Sequence, residues 1–128
     1  MSENNQFENI LPIAPLKIAA LEGSRYFAEK VDRYLVDFRK KVNTQHRDNV
    51  YFQNYAQDSY LIECSCPRFG TGEAKGRLGE SVRGSDLFIM TDVCNYSLTY
   101  TVCGHVNHMS PDDHYQDLKR MISAATGK

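Results

Sequence analysis

The chain has almost no net charge, no long apolar run and no basic leader, and each absence removes a class of function. Fifteen basic and sixteen acidic side chains leave a formal charge of −1, which argues against a broad electrostatic footprint for nucleic acid. Any anion site must then be local, built from a few basic groups and backbone amides. No apolar stretch approaches the roughly 20 residues that a bilayer span requires. The opening MSENNQFEN is acidic and polar and lacks the basic segment that begins a signal peptide. A soluble, cytoplasmic protein with no membrane and no nucleic-acid partner is therefore expected. The four cysteines, at 64, 66, 94 and 103, include no Cys-x-x-Cys pair of the structural zinc type. Cys64 and Cys66 would share one face of a strand, and reduced, small hydrophobic thiols are expected. A metal or redox module using Cys94, Cys103, His105 and His108 is the alternative.

What is present fits one domain of 128 residues. Residues 1–15 read as a flexible polar tail. LKIAAL (16–21) reads as a strand, Glu22-Gly23 as a turn, and Ser24 as the cap of an amphipathic helix with apolar residues at 27, 31, 34, 35, 38 and 42. VYFQNYAQDSY carries aromatics at 51, 52, 55 and 60. With few basic residues nearby, packing explains them better than base stacking. YLIECS reads as a strand, and LFIM (87–90) as a central strand covered on both faces. Asp92 and Asn95 fall at its carboxyl end, where open α/β sheets bind ligands, although a turn or capping carboxylate is the better explanation of Asp92. His105 and His108, i and i+3, could share a helix turn. SPDDHYQDLKRMISAATGK is a helix with Ser110 as cap, Pro111 at its first position and Tyr115, Leu118, Met121, Ile122 and Ala125 as its buried face. Gly127 suits its C-terminal cap. Asp112 and Asp113 complement the dipole, a divalent cation being the alternative. The strand–helix–strand–helix order leaves a sheet edge uncovered, so a larger protein is expected.

Between the strands lies CPRFGTGEAKGRLGESVRGSD (66–86), rich in glycine and in charge of both signs. A plain hairpin explains it. So does a functional arm, because glycine lets backbone come close to a ligand.

RFGTGE and, above all, GESVRGSD resemble the hairpin and the G-E-S-V-R-G-E-D motif of the ribose-phosphate pyrophosphokinase (phosphoribosyl pyrophosphate synthetase) family. LFIMTDV, ISAATGK and, less specifically, LKIAALEGS continue the likeness across 16–128. The resemblance implies a phosphoribosyltransferase-like (Rossmann-like) three-layer α/β sheet, a truncated N-terminal domain with a protruding β-hairpin at 60–86. It implies that the full-length protein transfers pyrophosphate from ATP to ribose 5-phosphate with Mg2+, as a dimer or hexamer. It also implies that the hairpin holds the adenine of a neighbouring subunit's ATP. Phe69 would stack on the base, and Thr71 and Glu73 would flank it. Thr71 stands where the family has asparagine, and a hydroxyl cannot make the two-pronged amide contact. Ser81 and Arg83 match positions of a regulatory phosphate/ADP site between subunits. The stretches 43–60 and 95–109 depart from the family as a longer connection and an insertion. The family's catalytic and magnesium-binding motifs match nothing in 1–128, so this fragment alone is expected to be inactive. A non-catalytic regulatory or oligomer-forming paralogue is the alternative.

Overall fold

A computed structural model describes residues 11–127; of the expected tail, residues 1–10 lie outside the described residues. The centre is β1 (Leu16–Ala20), a short apolar strand with parallel neighbours on both sides, β2 (Leu61–Ile62) and β5 (Asp86–Met90). Successive side chains of a strand point to opposite faces, and here each face meets a helix. Ile18 packs with Val36 and Tyr60 beneath α1 (Arg25–Gln45). Ala19, one residue on, packs with Leu21, Cys64 and Met121 beneath α2 (Pro111–Thr126). Ala19 has no exposed surface; a small side chain there lets α2 come close.

Two short antiparallel pairs complete the described fold. β3 (Cys64–Ser65) pairs with β4 (Arg77–Leu78), and β6 (Thr99–Val102) pairs with β7 (His105–His108). YLIECS therefore changes partners at Glu63, leaving the parallel sheet to begin a hairpin.

The structure corrects several expectations. β1, not LFIM, is the central strand; β5 lies at one side and its Phe88 is 61% exposed. α1 buries Ala28, Asp32 and Val36, with the expected Val31 and Leu35 packed against the same cluster, whereas Phe27 and Tyr34 are exposed. The cause is polar: Asp32 accepts the Tyr60 backbone N–H at 2.7 Å and the Ser59 hydroxyl at 2.8 Å, tying α1 to β2. In α2 the buried residues are His114, Asp117 and Met121, with Tyr115 and Ile122 turned outward. Ser24 precedes α1 but does not cap it. Its hydroxyl oxygen lies 2.9 Å from the Leu21 carbonyl oxygen and 2.8 Å from that of Met90, and its one proton is shared between them, joining the ends of β1 and β5. Gly127 takes the C-cap position of α2 as expected, in an extended conformation. His105 and His108 lie on a strand, because Cys103 and Gly104, at φ 49° and 80°, make the tight turn of a hairpin. Among 51–60 packing prevails: Phe52 and Tyr60 are buried, and the Arg39 guanidinium lies over the rings of Tyr55 and Tyr60. Ser110 and Asp113 form a reciprocal capping box, which occupies the Asp113 carboxylate.

Candidate functional site

The segment joining β3 to β4 forms a compact arm, residues 66–76. An Arg68–Ala74 bridge extends the ladder beyond β3 and β4. Three backbone bonds close the tip: Phe69 N–H to Glu73 O at 2.8 Å, Gly72 N–H to Phe69 O at 2.8 Å, and Lys75 N–H to Pro67 O at 2.9 Å. Gly72 has φ 86°, which favours glycine. At Gly76 the arm meets α2 so closely that an added Cβ would lie 2.3 Å from the Arg120 carbonyl oxygen.

Phe69, Thr71 and Glu73 are brought together on this tip, all exposed, with the Phe69 ring 55% accessible. Glu73 already has a partner, the Arg120 guanidinium at 2.7 Å. Arg68, which sequence reasoning passed over, anchors the tip. It donates to Asp117 Oδ1 at 3.0 Å and to the Gly72 carbonyl at 3.1 Å, with its guanidinium 4.4 Å from the Tyr100 ring centre. Only the adjacency of Arg68 to Phe69 could have flagged it, since Tyr100 and Asp117 lie far along the chain.

Ser81 and Arg83 stand apart from this tip. The Ser81 hydroxyl accepts the Arg83 N–H at 3.3 Å, and its carbonyl accepts from Lys17 Nζ at 2.7 Å. Lys17 also pairs with Glu80 at 2.8 Å. Arg77, Ser81, Arg83 and Thr126 help line an open groove of about 1090 Å³ beside the end of α2. Among the described residues Arg83 has no carboxylate partner, and the lining of this groove does not include Phe69, Thr71 or Glu73.

The carboxyl ends of β1 and β5 border a smaller pocket of about 250 Å³, whose lining includes Gly23, Arg25, Cys66, Thr91, His114 and Asp117. Burial raises Asp117 above the ordinary carboxylate range, outweighing the attraction of Arg68. Burial likewise raises Cys64, and pushes Cys66 up to about 11 with help from Asp117. These are thiols in their inert form at neutral pH. Asp92 and Asn95 accept backbone N–H groups two residues on, from Cys94 and Ser97, and so serve local turns. No group of three or more His, Cys, Asp or Glu able to hold a metal ion occurs among the described residues. Nor is any helix there long and apolar enough to cross a membrane.

A family model described as the N-terminal domain of ribose phosphate pyrophosphokinase matches residues 16–128. No curated protein and no solved structure gives a significant match.

Proposed function

Because the chain belongs to the ribose phosphate pyrophosphokinase family, matching the model of its N-terminal domain, we propose that it is the nucleotide-reading and assembly part of such an enzyme. On this reading the full-length protein transfers pyrophosphate from ATP to ribose 5-phosphate. The sheet with a helix on each face is the start of a three-layer phosphoribosyltransferase-like domain in the cytoplasm. The observation that carries the reading is Phe69: a large apolar ring left exposed at the tip of a closed, hydrogen-bonded turn. An aromatic face held this way suits stacking on a base, an interaction that needs area and flatness more than hydrogen bonds. Thr71 and Glu73 stand beside it. Arg120 already holds one oxygen of Glu73, so the second is the one available to an exocyclic amine.

A tip that projects its ring outward completes a site on a neighbouring subunit, so the working form is a homo-oligomer, dimer or hexamer. Ser81 and Arg83 supply a second, anion-selective position. The Ser81 oxygen already accepts a backbone proton, which leaves its own proton to donate. The free Arg83 fork suits phosphate or the tail of ADP. Magnesium, which the family likeness implies, finds no ligand set among the described residues, and no metal role is assigned to any of them.

The test is to incubate the full-length protein with ATP, ribose 5-phosphate and magnesium, and to measure AMP and phosphoribosyl pyrophosphate. Equal amounts of both are expected. No product above background would overturn the catalytic reading and leave the non-catalytic paralogue, provided that ATP still bound.

A further inference from the structure

The β6–β7 hairpin has no role in the reading above, yet its contacts converge on the arm. At its turn, Cys103 Sγ lies 3.9 Å from the Gly70 carbonyl oxygen. A Cβ added to Gly72 would stand 3.1 Å from a Val102 methyl, so the two tips are packed together. Tyr100, on β6, offers its ring to the Arg68 guanidinium at 4.4 Å. Arg68 is fixed from two further sides, by Asp117 of α2 and by the Gly72 carbonyl inside the arm's own turn. Asp117 is buried, so this contact ties the arm to the body of the domain. The root is also fixed at Gly76 against α2, and Glu73 is tied to Arg120 on the next turn of α2.

We infer that the β6–β7 hairpin is a brace for the arm, and that Arg68, clamped between Tyr100 and Asp117, is the positioning residue that sets the direction of the Phe69 ring. The inference deepens the nucleotide reading and rests on it for its functional consequence. Its physical content is independent of any ligand. A two-stranded hairpin is marginal alone in water, and the arm's ladder comprises two residues per strand and one further bridge. Without lateral support such a tip would sample many directions, and each nucleotide-binding event would bear the ordering cost. A flat cation stacked on a ring on one side and hydrogen-bonded to a turn carbonyl on the other removes that freedom before the ligand arrives.

The experiment compares Tyr100→Ala, Tyr100→Phe, Arg68→Lys and Phe69→Ala in the full-length protein. Two measurements are made on each: amide hydrogen exchange at Phe69, Gly72 and Lys75, and ATP affinity by titration calorimetry. Tyr100→Ala and Arg68→Lys should speed exchange at all three amides about tenfold or more and weaken ATP several-fold. Tyr100→Phe, which keeps the ring, should behave as wild type. Should Tyr100→Ala fail to fold, Arg68→Lys carries the test, because it keeps a charge for Asp117 but loses the flat fork. Unchanged exchange in the folded variants would overturn the brace. Faster exchange with unchanged ATP affinity, while Phe69→Ala weakens ATP, would overturn the positioning role. If Phe69→Ala leaves ATP affinity untouched while Tyr100→Ala still frees the arm, the nucleotide reading falls and the brace stands.

Discussion

Replacing Gly76 with alanine adds one methyl group where the structure has least room. The Cβ would lie 2.3 Å from the Arg120 carbonyl oxygen, 2.6 Å from its carbon and 2.9 Å from the Met121 nitrogen. All three are backbone atoms in the middle of α2, so no side chain can rotate away. Either β4 must lift from α2, or α2 must shift at Met121, which is fully buried. Overpacking of this kind costs roughly 1–3 kcal/mol where neighbours can adjust, and the rigid partner places this case near ~3 kcal/mol. That lowers the folding constant roughly 150-fold and the melting midpoint by about 10 °C for a chain of this size. Gly70→Ala is the control: it meets nothing within 4 Å and needs no left-handed backbone, so its midpoint should hold to within about 1–2 °C. The assay is thermal and urea unfolding of both variants beside wild type, followed by circular dichroism. A Gly76→Ala protein as stable as Gly70→Ala would refute the close crossing of arm and helix, and with it the root of the arm.

Four further outcomes follow from the packing and the buried acids. Asp32→Ala should cost ~2 kcal/mol, because it strands the buried Tyr60 N–H that Asp32 accepts; Asp32→Asn, which keeps one acceptor, should cost less, as read from urea midpoints. With a chromogenic disulfide at pH 8, Cys94 and Cys103 should react promptly and Cys64 and Cys66 slowly, since the first two are exposed and burial holds the other two protonated. Stability should fall as pH rises from about 9 to about 11, the interval in which the unfolded Cys66 thiol ionises and the folded one keeps its proton. The decline should be shallower in Cys66→Ala. The raised Asp117 acts with the same sign at acid pH: its contribution declines as pH climbs from the ordinary carboxylate value through the higher folded one.

What could be read without coordinates was what neighbours along the chain decide. Ser110, Pro111 and Asp113 mark the start of α2 because a capping box closes within one turn. LKIAAL and LFIM read as strands because short apolar runs between turns leave little choice. Their order in the sheet could not be read, since the central place of β1 depends on pairing with residues more than forty positions away. The place of Asp32 on the inward face of α1 was missed for a similar reason. Asp32 looks like a surface carboxylate until Ser59 and Tyr60 arrive to be bound. His105 and His108 were misplaced because Cys103, a residue that seldom adopts a positive φ, takes the left-handed position beside Gly104. For the site, the motif residues were legible individually, and the structure gathers Phe69, Thr71 and Glu73 on one tip. The ties that hold the tip were not legible, because Arg68 meets Asp117 across 49 positions and Glu73 meets Arg120 across 47.

The central claim is that the Phe69 ring reads a nucleotide, and one titration tests it directly. ATP affinity of the full-length protein should fall by ~1–3 kcal/mol in Phe69→Ala, roughly 5- to 150-fold, as stacking on an aromatic ring would have it. Phe69→Tyr, which keeps the flat face, should retain most of the affinity. ATP binding that is the same in wild type and Phe69→Ala would contradict the claim.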